Sequence, residues 1–340
     1  MGRERRAVTI YQVAERAGVS IATVSRALRG SPLVAGPTRQ RVLRVADELR
    51  FRPSRAGRSL AEGQHAANGI VFPDLSGPYY AEVVLGYEEV VAELGRSVLI
   101  LTTHGRPHAV EKVLELASRV DGMVVMGRTV GDEVVARLAE NGLPVVLLAR
   151  PPIDPAADGA ADVVTTVNTD NVGSARVLTE HLLGHGHRRL VFLGDPDESP
   201  DVAGRHAGFR AALGGAPAAT APEPVRCAFD VDAGYAAATE LFTRDRPDAV
   251  MCANDEIALG ALRAAEELGV RVPLTGWDDI MAARYAGLTT VRQPMRELGA
   301  LAARRLDDLI SRGRAQPRHQ ELPTTPVIRT SCGCGDQTRR

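Results

Sequence analysis

From residue 69 onward, short β-rich apolar runs alternate with segments of helical periodicity, and this alternation restricts the fold more than any other feature of the chain. The runs cover 69–73, 97–103, 122–127, 144–150, 163–168, 189–195, 248–254 and 274–278, and segments such as 79–94, 170–183, 231–242 and 257–268 carry the helical spacing. Repeated strand–helix alternation builds parallel sheets covered by helices on both faces. Small ligands of such sheets sit beyond the carboxyl ends of the strands. That rule singles out Asp74, Arg150, Asn168, Asn254 and Asp278, with Tyr79 and Tyr80 opening the first helix of this region. GxGxxG, GxxxxGKS/T, GxSxG and HExxH are all missing from the 340 residues, so dinucleotide, P-loop, serine-hydrolase and zincin chemistry lose their main support. The region reads as a binder without a catalytic constellation.

A formal charge of −1 conceals a division. Residues 1–60 hold thirteen arginines against Glu4, Glu15, Asp47 and Glu48, a surplus of nine positive charges, so the remainder carries a surplus of ten negative ones. A basic head on an acidic body points to a polyanionic partner for the head alone. The N-terminus lacks the apolar core of a signal peptide, and no run approaches about 18 apolar residues; a cytoplasmic location is expected.

Within the head, Thr9 followed by Gln12 forms a capping box for a short first helix. Gly18 supplies a tight turn, Ser20 caps a second helix over 21–28, and Pro37 with Thr38 opens a third whose stripe is Val42, Val45, Ala46 and Leu49. Two short helices joined at a glycine make a helix-turn-helix, whose second helix enters the major groove of DNA. Ile21, Ala22, Ser25 and Arg26 then face base edges, while Tyr11, Ser20 and Thr23 face phosphates. Arg26 is the guanine reader, and Ile21 and Ala22 can read only apolar features such as a thymine methyl. The competing reading is an ordinary helical domain with a solvated basic face.

Residues 51–63 read as a proline stop, a serine cap and about two turns of helix containing Gly57. A helix shorter than roughly 12 residues is marginal in water, so this one orders only against a partner, or else the segment is a flexible linker. Leu60, flanked by Arg55 and Arg58, suits a wedge between base steps in the minor groove.

The run Val8-Thr9-Ile10-Tyr11-Gln12-Val13-Ala14, with Ala17-Gly18-Val19-Ser20 and Thr23-Val24-Ser25-Arg26-Ala27-Leu28, resembles the head of the LacI/GalR family of bacterial transcription regulators. Arg58-Ser59-Leu60 resembles that family's hinge helix. The resemblance continues through Pro73-Asp74-Leu75-Ser76-Gly77-Pro78-Tyr79-Tyr80, Gly204-Arg205-His206-Ala207-Gly208-Phe209, Cys252-Ala253-Asn254-Asp255, Gly276-Trp277-Asp278-Asp279 and Leu288-Thr289-Thr290-Val291-Arg292-Gln293-Pro294. It implies a small all-α helix-turn-helix head over 7–53, a hinge helix and linker over 54–67, and a two-lobed periplasmic-binding-protein-like α/β domain over 68–335. Lobe one would take 68–166 and 295–322, and lobe two 167–294 and 323–335. The implied function is a ligand-responsive regulator, a repressor in the commonest case, that binds a pseudo-palindromic double-stranded DNA operator as a homodimer. The implied effector is a small polar molecule such as a sugar or nucleoside, held by Tyr79, Tyr80, Arg205, Phe229, Asn254 and Asp278, and no cofactor is called for. Ala149 stands where many family members carry an aspartate, and the segments 272–276 and 285–288 are several residues shorter than the family pattern.

The competing class is a non-enzymatic small-solute binding protein with a basic N-terminal extension, which would need an export signal. His181, His185 and His187 suggest a metal, but Gly184 and Gly186 mark a helix ending and no nearby carboxylate or cysteine completes a ligand set. The expectation is no metal site, with the imidazoles favoured by a helix C-terminus. Cys332-Gly333-Cys334 is expected to be inert, and the tail holds no leucine heptad for a tetramerising coiled coil.

Overall fold

The computed structural model describes residues 8–51, 65–152, 163–216 and 223–334. The chain divides into two compact units, 1–65 and 66–340. Arg55, Arg58 and Leu60 lie outside the described residues.

The first unit is three helices, α1 (Ile10–Ala17), α2 (Ile21–Leu28) and α3 (Gly36–Glu48). The backbone N–H of Thr9 donates to Gln12 Oε1 at 2.9 Å, giving an otherwise unpaired terminal amide its acceptor. Gly18, at φ 65°, ends α1 in the left-handed conformation that glycine adopts without strain. Ser20 Oγ then accepts from Thr23 N at 3.2 Å to start α2. Among the described residues the buried core of the unit is nine residues, all valine or alanine: Val13, Ala14, Ala17, Val24, Ala27, Val34, Val42, Val45 and Ala46.

The second unit holds two parallel sheets. The larger is made of β1 (Ala67–Phe72), β2 (Ser97–Thr102), β3 (Gly122–Met126), β4 (Val145–Leu148), β5 (Val164–Thr169) and β10 (His319–Leu322), in the order β10-β5-β4-β3-β1-β2. Its central strands are apolar on both faces, as a sheet with two covered faces requires. On one face pack α4 (Pro78–Glu93) and α12 (Met295–Arg312), and on the other α5 (Ala109–Ala117) and α6 (Asp132–Glu140). The smaller sheet runs β6 (Leu190–Leu193), β7 (Ala249–Cys252), β8 (Leu274–Thr275). Around it stand α7 (Asn171–Gly184), α8 (Pro200–Gly214), α9 (Val231–Arg244) and α10 (Asp255–Glu267), over one core that includes Phe192, Phe209 and Trp277. In the segments read as short, β8 has two residues and α11 (Met281–Tyr285) has five.

Within the described residues the chain crosses between the lobes three times. The first crossing falls at Asp170, not at 166/167, because β5 continues to Thr169 to pair with β10. The second follows β9 (Thr290–Arg292), and the third joins β10 to β11 (Thr325–Val327), which lies antiparallel to β9. Hydrogen bonds tie the crossings together. Thr169 Oγ1 donates to Gln293 Oε1 at 2.7 Å, Asp170 N to Leu322 O at 3.1 Å, and Thr324 Oγ1 to Asp170 O at 3.1 Å.

Candidate functional site

Two surfaces carry the candidate chemistry, one on each unit. On the head, Tyr11 is 68% exposed and Ile21, Ala22 and Arg26 are exposed on α2. Among the described residues no hydrogen bond or ion pair engages the Arg26 side chain, so its planar donor fork is available to a base edge. Several neighbouring hydroxyls already have partners. Ser20 Oγ and Thr23 Oγ1 lie 2.9 Å apart, and Ser25 Oγ accepts from the Arg29 guanidinium at 2.9 Å. Spacing alone had not exposed Arg29, which braces Ser25 from one turn farther along.

In the body, Tyr79, Tyr80, Arg205, Phe229, Asn254 and Asp278 line one cavity of about 570 Å³, together with Asp74 and Ala149. The wall comes from both lobes: Tyr79 and Tyr80 stand on the first turn of α4, and Arg205 on α8. Asn254 is the N-cap of α10, where its Oδ1 accepts from Ile257 N at 2.8 Å; its Nδ2 remains the group it can offer a ligand. Tyr79 Oη is buried with no hydrogen-bond partner among the described residues, as is Thr129 Oγ1 on the same wall. Buried polar atoms normally have partners, so a ligand that fills the cavity has two unsatisfied hydroxyls to meet. Two wall residues on opposite lobes hold positive φ, Ala149 at 54° and Asp278 at 114°, a strain that concentrates at binding sites.

Arg205 and Asp278 do not pair with each other. The Arg205 guanidinium lies 4.7 Å over the Trp277 ring. It donates through Nε to Asn171 Oδ1 at 2.9 Å and through a terminal nitrogen to Ala253 O at 2.7 Å, with Asp201 3.9 Å away. Asp278 Oδ1 accepts from Gln293 Nε2 at 2.6 Å. Burial pushes the Asp278 carboxyl up to about 7, against the opposing pull of Arg205 and Gln293. Behind it, burial and the Asp278 charge push Asp255 up to about 8, although Thr290 and the Ile280 amide bond to it. Desolvation likewise raises Asp201, Glu198 and Glu256.

Both key groups reach the crossings between lobes. Asp278 touches Gln293, which holds Thr169; Arg205 touches Asn171, whose Nδ2 donates to Thr169 O at 3.2 Å. Asn171, Asp201, Trp277 and Gln293 were not read from the sequence as site residues. Asp201 had a usable signal, since it stands four residues before Arg205 on the same face of α8.

Two strand-end candidates fall elsewhere. Arg150 is buried in loop contacts, donating to Val130 O at 2.8 Å and pairing with Asp132, and it exchanges two hydrogen bonds with Asn168. Both satisfy local backbone instead of facing the cavity. The reading of the histidines also needs correction. His181 and His185 are completed by two cysteines, because the C-terminal segment returns to α7 and brings Cys332 and Cys334 beside them. His187 is outside that group.

The geometry defines a class: a helix-turn-helix unit with an exposed second helix, on a chain whose larger unit is a two-lobed α/β binding fold with a polar cleft. The profile of the bacterial regulatory proteins of the lacI family matches residues 9–54, and that of the periplasmic binding protein-like domain matches 179–332. The HTH-type transcriptional repressor PurR of Erwinia tasmaniensis is 31% identical over 338 residues, covering 96% of this chain and 97% of that protein. Catabolite control protein A of Priestia megaterium is 30% identical, covering 95% and 99%. Among solved structures, a lac repressor dimer bound to operator and an anti-inducer superposes with a TM-score of 0.81 at 27% identity, covering 96% and 99%. A CelR–cellobiose complex superposes at 0.69 with 30% identity, covering 95% and 99%. The chain belongs to the LacI family, and it is a DNA-binding transcription regulator, not an enzyme.

Proposed function

We propose that this regulator represses transcription by binding a two-fold symmetric operator as a homodimer, and that an uncharged or cationic small molecule, a sugar or nucleoside, switches it from the cleft. The cleft lining carries this reading of the effector. Asp74, Glu198, Asp201, Asp230, Glu256 and Asp278 line it against only two arginines, Arg128 and Arg205, an excess of carboxylates that repels phosphorylated ligands. Tyr79, Tyr80 and Phe229 offer apolar faces to a ring, and Asn254, Arg205 and Asp278 offer donors and acceptors to hydroxyls or ring nitrogens. The operator complex of one structural neighbour and the cellobiose complex of another support the two halves of the proposal. Work on DNA puts the protein in the cytoplasm; among the described residues no helix is long and apolar enough to cross a membrane.

In the switching mechanism, a ligand that bonds Asp278 and Arg205 biases Gln293, Asn171 and Thr169, and so the angle between the lobes. Lobe movement in a paired body changes the separation of the points at which the two heads attach. That separation decides whether both heads, with Arg55, Arg58 and Leu60, can contact the operator together, and a coupling of about 1–3 kcal/mol is enough to switch such binding.

Selection of bound duplexes from a randomised library by the full chain, at near-physiological salt, tests the operator half. Recovery of a two-fold symmetric motif is expected. Binding that is salt-sensitive but blind to sequence would contradict it.

A further inference from the structure

We infer that His181, His185, Cys332 and Cys334 form a tetrahedral zinc site that pins the C-terminal segment to α7. The four ligand atoms all lie within 4.8 Å of one another. His181 Nε2 is 3.4 Å from Cys332 Sγ and 3.5 Å from Cys334 Sγ, and His185 Nε2 is 3.1 Å from Cys334 Sγ. A zinc ion with bonds of about 2.3 Å to sulfur and about 2.0–2.1 Å to nitrogen separates neighbouring tetrahedral ligands by roughly 3.4–3.8 Å. The side chains therefore need only small movements to accept it.

Each pair reaches this point for a separate reason. His181 and His185 are four residues apart at the end of α7, so they share a face, with His185 as the C-cap. The cysteines arrive on a segment that is held in place by other bonds. Arg329 pairs with Asp279 and donates to Leu288 O at 2.7 Å, Ser331 Oγ donates to Leu274 O at 2.6 Å, and Thr289 N donates to Ser331 Oγ at 2.8 Å. Gly333, at φ 85°, then turns the chain so that both sulfurs face the helix.

Packing alone does not account for the cluster. Cys332 is fully buried and could serve as a small apolar residue, but Cys334 is half-buried and His185 is exposed. Two thiols and two imidazoles converging from positions about 150 residues apart make the S2N2 set that zinc prefers. Carboxylate-binding ions such as magnesium or calcium are excluded by the donors. Binding would release the two thiol protons to solvent as the thiolates form. The site lies at the opposite end of α7 from Asn171, which bonds Arg205 in the cleft. It therefore braces lobe two without occupying the effector site.

The test uses the full chain carrying an affinity handle without histidine, purified under reducing conditions, alongside Cys334→Ser and the double variant His185→Gln/Cys334→Ser. Elemental analysis should find close to one zinc per wild-type chain and a loss in both variants. Cobalt substitution of the wild type should give intense visible bands of a four-coordinate ion together with thiolate charge-transfer absorption. Chelator should lower the wild-type melting midpoint and leave the double variant's unchanged. Three results would overturn the site: zinc content equal in wild type and double variant, a weak six-coordinate cobalt spectrum, or a Cys332–Cys334 disulfide that persists in reductant and excludes metal.

Discussion

The head and the body solve recognition in opposite ways. The head has a small core of valines and alanines and presents its candidate contacts outward on α2, so the partner supplies the concavity. The body buries Trp277, Tyr87, Phe72, Phe192 and Phe209 in large cores and holds its candidate contacts inward, around a cleft between two sheets. A convex reader can be built from consecutive residues, because an eight-residue helix is enough to display them. A cleft needs side chains from several strand ends, and it can couple to the hinges beneath it because those same residues touch the crossings. The difference predicts separable failures, in which body variants change the response to effector and head variants change the reading of DNA.

The largest effect should come from Arg205→Ala. It leaves Asn171 Oδ1 and Ala253 O without their donor and Asp201 without its counter-charge, and breaking a buried pair from one side costs roughly 3–5 kcal/mol. Differential scanning calorimetry should show the body transition falling while the head transition stays in place; equal shifts in both would break the comparison. Val24→Ala attacks the other unit. Val24 is fully buried, and removing two carbons from so small a core should cost about 2 kcal/mol, enough to weaken operator binding with effector affinity unchanged.

Arg26→Ala sharpens the head's side of the contrast. If the guanidinium holds a guanine, the loss is about 1–3 kcal/mol, with preference relaxed at one base pair. Fluorescence anisotropy on operator and random duplexes should show a large loss on the first and a small one on the second, and equal losses would assign Arg26 to phosphate. Arg55→Ala, by contrast, should weaken all sequences about equally.

A smaller effect tests the cleft through pH. Asp278 titrates near 7 in the free protein, facing Arg205, Gln293, Glu256 and Asp201. An effector that donates to its carboxylate stabilises the charged form, so affinity should rise by about tenfold between roughly pH 6 and 8. Asp278→Asn should flatten that profile in isothermal titration. Stability of the free body should move the other way. With Asp255 raised from 3.8 to about 8 and Asp278 to about 7, the folded state binds more protons than the unfolded one across that window, so stability falls as pH rises through it.

What the sequence disclosed follows the same division. The head could be read residue by residue because cap, turn and stripe are local patterns. In the body, strand–helix alternation was enough for the parallel sheets, and the strand-end rule found Asp74, Asn254 and Asp278. The same rule also selected Arg150 and Asn168, which bond each other and nearby backbone, since a polar residue at a strand end can as easily cap a loop as face a cleft. Arg205 and Phe229 came only through family resemblance, and neither route assigned a role to Asn171, which holds Arg205, or to Gln293, which holds Asp278. The zinc ligands show the limit clearly: the histidine pair and the cysteine pair are each weak signals, and only the return of the chain to α7 joins them.

The central claim is that the cleft controls the head. Its most direct test is operator affinity of the full chain with and without a saturating sugar or nucleoside that a thermal-shift screen shows to bind, and whose binding Asp278→Ala abolishes. The account predicts a change of about 5–150-fold, of either sign, in the wild type, and none in the Asp278→Ala protein. A ligand that fills the cleft and leaves operator affinity unchanged would contradict it.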